Sequence, residues 1–288
     1  MKVIVLGATG MLGHKFVQRL GRRFEVAGTI RLAAADYCGA PALAGVRLLS
    51  GVTAEEPASV ARALDTVKPE AVINCIGVIK QMKGAKDPVT AITVNSLFPH
   101  QLARLCAERG ARLIHFSTDC VFSGSRGNYS EDDMPDPEDL YGRAKLLSEV
   151  IGPGCFTMRT SMIGRELRGR GSLIEWFLAQ KDGQVKGFAR VFYNGFTTIA
   201  MADLVADLLS DFPELDGLWH VSADPISKYD LLSIVNKIYG LNITMERDES
   251  VFSDRQLDSS RFRARTGFRP KSWEEMIAEM HGDPTPYV

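Results

Sequence analysis

Residues 1–20, which read MKVIVLGATGMLGHKFVQRL, decide the fold of this chain. Val3–Leu6 form an apolar run rich in β-branched residues, which predicts a strand buried on both faces. Apolar residues then recur at helical spacing after three evenly spaced glycines, Gly7, Gly10 and Gly13. A strand, a glycine turn and a helix in this order let first-turn amides and the helix dipole bind a pyrophosphate. Because the GxxGxxG spacing differs from GxGxxG, the strand–turn–helix context carries this prediction.

Length and composition restrict the classes of protein to which the chain can belong. It has 288 residues, 45% of them hydrophobic, enough for one large domain or two small ones. The net charge of −1 argues against nucleic acid as a partner, and no apolar stretch approaches the length of a membrane span. The chain begins with a core strand, which leaves no room for a signal peptide. Five scattered cysteines without a CxxC pair argue against disulfides and zinc, so we expect a cytoplasmic location.

Predicted strands alternate with helices through the first 160 residues. After the first strand, the predicted strands are Phe24–Thr29, Val46–Leu49, Ala71–Ile76, Arg112–Phe116 and Phe156–Arg159, and the predicted helices include Glu55–Val67 and Pro88–Arg109. This alternation predicts an α/β fold with a doubly wound parallel sheet of the Rossmann type over residues 1–160.

Shorter elements follow and predict a smaller C-terminal α/β substrate domain, residues 161–288, partly interwoven with the sheet. Its predicted elements are helices at Ser172–Gln180, Ala200–Leu209, Tyr229–Tyr239 and Trp273–Met280 and a strand at Leu218–Val221. Between them, Gly183–Gly195 is expected to be irregular or a short strand. Two loops are also predicted, Leu32–Gly45 and Val121–Pro137, and the second is long enough to suggest a functional role.

Two segments are expected at the cofactor. Ligands of open parallel sheets bind beyond the carboxyl ends of the strands, where Cys75, Ile76 and Gly77 follow the fourth strand. Arg31 follows the second strand, at the distance from the glycines where an acid usually binds the ribose 2′-hydroxyl. Because an arginine there accommodates a 2′-phosphate, we predict NADPH as the preferred cofactor over NADH. The alternative for Arg31 is a surface arginine in a loop.

A tyrosine and a lysine share one face of a predicted helix. Asp136 and Pro137 predict its N-cap and first residue, and Tyr141 and Lys145 follow four residues apart. The tyrosine pKa, ordinarily about 10, is expected to be lowered by the ammonium and by an oxidised nicotinamide ring. Tyr141 would then give a proton to a carbonyl oxygen that Thr118, after the fifth strand, also hydrogen-bonds. A solvated surface helix is the alternative for the pair.

Five motifs surround these residues: GATGMLG (7–13), VNSLFPHQLA (94–103), FSTDCVFSG (116–124), LYGRAKLLSE (140–149) and MRTSMIG (158–164). With them the chain resembles the extended short-chain dehydrogenases/reductases, and more narrowly the dTDP-4-dehydrorhamnose reductase family. The resemblance covers most of the chain and is strongest through Gly164. It implies NAD(P)H-dependent reduction of the C4 ketone of a nucleotide-linked 4-keto-6-deoxy sugar, in deoxysugar or surface polysaccharide biosynthesis.

The resemblance also implies roles for individual residues. Catalysis falls to Thr118, Tyr141 and Lys145, and the last two also bind the cofactor. The remaining cofactor contacts are Gly7, Thr9, Gly10, Met11, Leu12, Gly13, Arg31, Cys75, Ile76 and Gly77. Substrate contacts are Thr118, Asp119 and Ser161. No metal site is implied, and a homodimer is possible.

Residues outside this set have predicted roles of their own. Asn95 is predicted to tie its helix to a neighbouring strand. Arg255, Asp258 and Arg261 are candidates for the substrate diphosphate, with a solvated charged surface as the alternative. His14, His100, His115 and His220 show no metal-ligand spacing and are expected to be packing or surface residues.

Departures from the family pattern leave two alternatives open. Cys120 stands where the family often has tyrosine and where related dehydratases have glutamate, and Thr53 replaces an acid common after the third strand. Epimerase-reductases have a cysteine at this place as a proton acid/base, with a histidine after the sixth strand, but residues 164–166 supply none. Lys80 is the candidate to replace this histidine as the second proton donor. The first alternative is an epimerase-reductase, and the second is a non-catalytic nucleotide-binding regulatory subunit. The set of Thr118, Tyr141 and Lys145 favours an enzyme over a regulatory subunit.

Overall fold

A seven-stranded parallel sheet forms the centre of the computed structural model, which describes residues 1–33, 41–80, 87–169 and 171–287. Its strands are β1 (Lys2–Leu6), β2 (Glu25–Thr29), β3 (Arg47–Leu49), β4 (Ala71–Asn74), β5 (Arg112–Phe116), β6 (Cys155–Arg159) and β11 (Gly217–His220). Their order is β11-β6-β5-β4-β1-β2-β3, and every neighbouring pair is parallel. The chain proceeds outward from β1 in one direction and from β4 in the other, so a crevice opens between the carboxyl ends of these two strands. The predicted doubly wound sheet is confirmed.

Helices cover both faces of this sheet. They are α1 (Gly13–Leu20), α2 (Pro57–Val67), α3 (Pro88–Ala91), α4 (Phe98–Ala107), α5 (Leu140–Leu146) and α7 (Thr198–Asp211), with π-helical turns over Ile92–Leu97 between α3 and α4. Successive residues of a strand point to opposite faces, so Val3 and Val5 join one core and Ile4 and Leu6 the other. This two-sided burial explains why β1 is an unbroken apolar run.

After residue 161 the chain builds smaller units and also returns to the main sheet. The remaining elements are β7 (Met162–Ile163), α6 (Leu173–Leu178), β8 (Gln184–Phe188), β9 (Val191–Tyr193), β10 (Phe196–Thr197), β12 (Ile226–Ser227), α8 (Lys228–Tyr239), β13 (Thr244–Asp248), β14 (Ser253–Asp254), α9 (Ser260–Thr266) and α10 (Trp273–His281). Short sheets pair β7 with β10, β8 with β13, and β9 with β12 and β14. Two strands therefore occupy the segment expected to be irregular or a single short strand, and α9 was not predicted.

Side-chain hydrogen bonds explain why one helix begins and one strand ends at residues other than those predicted. Helix α5 begins after Asp139, whose carboxylate accepts the Gly142 amide at 2.7 Å. The predicted N-cap, Asp136, instead binds the amide and hydroxyl of Ser123. Strand β4 ends at Asn74 because its side chain accepts the amide of Ile76 and turns the chain. The predicted loop Leu32–Gly45 lies partly outside the described residues.

A buried ion pair joins the ends of β5, β6 and β11 to the segment after α5. Arg159, the last residue of β6, donates to both carboxylate oxygens of Glu149, at 2.7 and 2.9 Å. Ser117, directly after β5, donates its hydroxyl to the same carboxylate at 2.7 Å. A further nitrogen of Arg159 lies 3.2 Å from Nε2 of His220, the last residue of β11. The side chains of Arg159 and Glu149 are only 4% and 7% exposed. Their burial is favourable only if each charge has an opposite charge and hydrogen-bond partners beside it.

We predict that Glu149→Gln lowers the free energy of unfolding by about 3–5 kcal/mol, because the guanidinium of Arg159 stays buried without its carboxylate. Glu249→Gln is the control, since Glu249 pairs with Arg247 at the surface, where both side chains are more than half exposed. Such a pair contributes about 0–1 kcal/mol. Urea unfolding measures both values, and equal losses in the two variants would contradict the role assigned to Glu149.

Candidate active site

The glycine turn after β1 has the geometry of a phosphate cradle. Gly7 has a φ of +79°, and the Gly10 amide donates to its carbonyl at 3.0 Å. A Cβ at Gly13 would lie 2.1 Å from the same carbonyl oxygen, so only glycine lets α1 begin this close to the turn. Leu12, the N-cap residue of α1, provides no side-chain cap, and the amides of His14 and Lys15 donate to the carbonyls of Gly10 and Leu12. The turn before them, with Thr9, Gly10, Met11 and Leu12, and the positive end of the helix dipole are therefore the features that suit a diphosphate.

The predicted cofactor residues after β2 and β4 flank this turn. Thr29, the last residue of β2, accepts the Ala8 amide at 2.9 Å and the Gly7 amide at 3.1 Å. Arg31 follows two residues later with an exposed side chain. On the other side, a Cβ at Gly7 would lie 3.2 Å from the carbonyl oxygen of Cys75. The segments that carry Arg31 and Cys75 therefore both approach the glycine turn.

Asn95 holds the loop that follows β4. Its side-chain oxygen accepts the Val78 amide at 2.8 Å, and its side-chain nitrogen donates to the Val78 carbonyl at 2.7 Å. The residue is 2% exposed, and a Cβ at Gly77 would lie 3.4 Å from its oxygen. Asn95 is thus the structural tie predicted from sequence, although it fastens the loop beyond the strand rather than the strand.

Helix α5 packs tightly against the turn after β5, which brings Tyr141 next to Thr118. A Cβ at Gly142 would lie 2.3 Å from the carbonyl oxygen of Cys120, so glycine is required for this approach. The Thr118 hydroxyl donates to the Asp119 carboxylate at 3.0 Å, and Thr118 and Tyr141 border the same cavity. Lys145, one turn further along α5, is 8% exposed. Burial lowers its pKa to about 8, against an opposing contribution from Glu149.

A cavity of about 350 Å³ brings the predicted residues together at the carboxyl edge of the sheet. Five of them line it: Met11, Thr118, Asp119, Tyr141 and Ser161. Arg31, Lys145 and Cys75–Gly77 do not line it. The wall also includes Lys80, Cys120 and Arg255, which were named as candidates from the sequence. Other lining residues have no predicted role, among them Thr160, Tyr193 and Lys228.

Among the described cavity residues without a predicted role, Thr160 is the most deeply buried one with an unpaired hydroxyl, the kind of group that a ligand or water completes. It follows β6 directly, is 1% exposed, and its hydroxyl has no hydrogen-bond partner among the described residues. An unpaired buried hydroxyl is costly unless a ligand or water completes it. Its position at the carboxyl end of a strand could have identified it from sequence. Tyr193 lies in the segment expected to be irregular or a short strand, and Lys228 directly precedes a predicted helix, but neither pattern points to the cavity.

The cavity carries more positive than negative charge. Of the described residues that line it, Asp119 alone has a carboxylate, whereas Lys80, Lys228 and Arg255 are cationic. Lys80 pairs with Asp139 at 2.6 Å and its ammonium lies 5.6 Å from the centre of the Tyr141 ring. This balance suits an anionic ligand.

Two of the three candidates for a diphosphate contact lie elsewhere. Asp258 and Arg261 do not line the cavity, whereas Arg255 does, so the diphosphate role stays a prediction that the geometry favours for Arg255. Arg261 pairs with Glu131 at 3.4 Å and stacks on Trp219, with its guanidinium 4.1 Å from the ring centre.

Burial raises the pKa of the acidic groups of the cavity. It raises the pKa of Tyr141 above its ordinary value, and the neighbouring thiol of Cys120 adds to this effect. The lowered tyrosine pKa predicted from sequence is therefore not found in the protein alone, where desolvation dominates. Burial also raises the pKa of Cys120 to about 11, and it raises the pKa of Asp119. At neutral pH the site presents a phenol and a thiol that hold their protons.

Proteins with similar sequences are named for polysaccharide biosynthesis or as dTDP-4-dehydrorhamnose reductases. The spore coat polysaccharide biosynthesis protein SpsK of Bacillus subtilis is 25% identical over 300 residues, which cover 96% of each chain. The dTDP-4-dehydrorhamnose reductase of Escherichia coli is 25% identical over 253 residues, which cover 82% of this chain and 77% of that protein.

Solved structures share the fold over nearly the whole chain. The dTDP-4-dehydrorhamnose reductase of Bacillus anthracis, solved in complex with NADP, superposes with a TM-score of 0.77 at 18% identity and covers 97% of this chain and 98% of its own. The family model described as the RmlD substrate binding domain matches residues 1–284. The chain therefore belongs to the RmlD substrate binding domain family, within the extended short-chain dehydrogenases/reductases.

Proposed function

We propose that this protein is an NAD(P)H-dependent reductase of the C4 ketone of a nucleotide-linked 4-keto-6-deoxy sugar. The observation that carries the proposal is that Tyr141, Thr118 and Met11 of the glycine turn all line the same cavity. The names of the related reductases and of the spore coat polysaccharide protein support the substrate class and a place in polysaccharide biosynthesis.

The residues present fit a nicotinamide dinucleotide. The uncapped turn from Gly7 to Gly13 would hold its pyrophosphate, Arg31 a 2′-phosphate, and Lys145 the ribose next to the nicotinamide. The unpaired hydroxyl of Thr160 offers a further polar contact at the cavity wall. When bound, the cofactor supplies the hydride. The NADP in the Bacillus anthracis reductase supports this assignment.

The chain itself supplies the proton and orients the carbonyl. Tyr141, protonated at neutral pH, donates its proton to the carbonyl oxygen as negative charge develops there. Thr118 donates a hydrogen bond to the same oxygen, for which its hydroxyl must turn away from Asp119. The ammonium of Lys145 then stabilises the phenolate left on Tyr141.

Residues after position 160 would hold the nucleotide end of the substrate. Lys228 and Arg255 lie on the side of the cavity contributed by this part of the chain, and Ser161 borders it. Within the described residues no carboxylate forms an ion pair with Lys228, so its charge is available to a diphosphate. Arg255 is held by a hydrogen bond from its Nε to the Phe122 carbonyl at 2.8 Å.

Three expectations from sequence are not decided by these contacts. A homodimer and a cytoplasmic location stay predictions, as does the division into domains at residue 160. In the described ranges, no helix has the length and apolar character needed to cross a membrane.

The function predicts that Tyr141→Phe lowers turnover by about 10²–10⁴-fold, the usual contribution of a general acid, with NADPH affinity nearly unchanged. Turnover is followed by the absorbance of NADPH with a dTDP-4-keto-6-deoxy sugar as substrate. Tyr229→Phe is the control, because the Tyr229 hydroxyl has no hydrogen bond in the part of the chain that is described. Near-normal turnover in Tyr141→Phe would remove Tyr141 from the mechanism. Nucleotide binding without NADPH consumption by the wild type would favour a regulatory subunit.

Arg31 is expected to set the cofactor preference. The wild type should show higher kcat/KM with NADPH than with NADH, and Arg31→Asp should lower the NADPH value by about 10–100-fold through loss of charge-assisted bonds to the 2′-phosphate. The NADH value should change little. Arg22→Asp removes an equally exposed charge after α1 and serves as the control. Equal wild-type efficiency with both cofactors would show that Arg31 has no such role.

Cys120 decides between a reductase and an epimerase-reductase, since a thiol beside C3 or C5 of the sugar could exchange the acidic proton next to the carbonyl. Burial raises its pKa to about 11, so little of the thiol is present at neutral pH as the thiolate that would take the proton. With NADPH in deuterium oxide, we expect no carbon-bound deuterium at C3 or C5 beyond a no-enzyme control. Incorporation that depends on the enzyme and disappears in Cys120→Ser would establish the epimerase-reductase instead.

A further inference from the structure

A segment near the C-terminus, residues 283–287, packs against the first turn of α1; it is called the strap below. Lys15 of α1 forms an ion pair with Asp283 of the strap, and its ammonium also donates to Thr285 at 2.8 Å. The third partner is Gln18, again at 2.8 Å. Because the Lys15 side chain is only 2% exposed, its charge depends on these strap residues for compensation.

His14 connects the strap to the glycine turn. It is fully buried, and its Nδ1–H donates to the carbonyl of Gly10 at 2.9 Å. Burial lowers its pKa to about 4, so the neutral ring carries one proton, which the Gly10 carbonyl requires at Nδ1. Nε2 is then an acceptor for the Tyr287 hydroxyl, 3.2 Å away. The Tyr287 hydroxyl donates to the Asp283 carboxylate at 2.8 Å, and because it has a single proton, Nε2 of His14 competes with that carboxylate for it.

The other face of Tyr287 contacts the substrate side of the protein. The guanidinium of Arg165 lies 4.4 Å from the centre of its ring. Arg165 pairs with Glu175, in the first turn of α6, at 2.6 Å. Leu173, the first residue of α6, lines the cavity. Tyr287 thus lies between the turn that would hold the pyrophosphate and the helix that borders the substrate.

We propose that the strap positions the glycine turn for the cofactor, with Tyr287 and His14 as positioning residues outside the cavity. The inference rests on the proposed function, since it takes the turn to be the pyrophosphate site. Without the Tyr287 hydroxyl, Nε2 of His14 loses a polar neighbour that orients the ring. The Gly10 carbonyl then keeps the His14 amide as a donor, at 3.2 Å, but its side-chain donor is no longer fixed. The amides of the turn then sample more orientations, so binding the nucleotide must first restore their order.

Tyr287→Phe tests this directly, because it keeps the ring on Arg165 and removes only the hydroxyl. We expect the Kd for NADPH, measured by calorimetry without substrate, to rise by about three- to tenfold, as for loss of one or two hydrogen bonds. The kcat at saturating NADPH should stay within about twofold. Hydrogen exchange of amides 10–14 should become faster in the nucleotide-free variant. Tyr229→Phe is again the control.

A second variant keeps the test valid if the first is poorly folded. Thr285→Val interrupts the strap at Lys15 without touching His14, and it should also raise the Kd for NADPH. A purely structural strap would lower the melting temperature while the Kd and the exchange at 10–14 stay at wild-type values, and this outcome in both variants would overturn the proposal. Failure of the wild type to bind either NADPH or NADH would instead overturn the proposed function.

Discussion

The buried pair of Arg159 and Glu149 is the interaction on which the active-site architecture depends. It connects the residues directly before Thr118 and Thr160 with the segment that follows α5. Three segments that contribute residues to the active site therefore contact the same buried ion pair at the carboxyl edge of the sheet. Since removal of either partner would leave an uncompensated buried charge, the cluster restrains all three elements together. The geometry of the cavity is set by this polar cluster in addition to the apolar cores.

Close backbone contacts restrict the site in a second way. The turn after β1 and the packing of α5 both require glycine, at Gly13 and Gly142, because a Cβ would collide with a carbonyl oxygen. These contacts bring amides toward a phosphate and Tyr141 toward Thr118. Rigid backbone at both places lowers the ordering that a ligand must supply when it binds.

Burial then decides the protonation states that the chemistry uses. It raises the pKa of Tyr141 and lowers that of Lys145 to about 8, so at neutral pH the protein alone holds a protonated phenol and a lysine that is still mostly an ammonium. Such opposite shifts arise from desolvation, which disfavours every charged form. Lys228 and Arg255 remain cationic neighbours at the cavity wall, where an anionic substrate can compensate them.

Sequence patterns alone predicted the parallel sheet, the glycine turn and the position of Thr118 after a strand, because these follow from local periodicity and from the rule that strand ends converge. The pairing of Tyr141 with Thr118 was predicted from the order of the motifs and from the family resemblance. The sequence did not determine which residues after position 160 reach the cavity. Lys228 directly precedes a predicted helix and Tyr193 belongs to a short strand, but only long-range packing brings the two residues to the site. The strap is likewise a tertiary feature, since His14 and Tyr287 are adjacent only in the folded chain. The direction of the Tyr141 pKa shift was also beyond sequence, because desolvation depends on how tightly the whole chain packs around it.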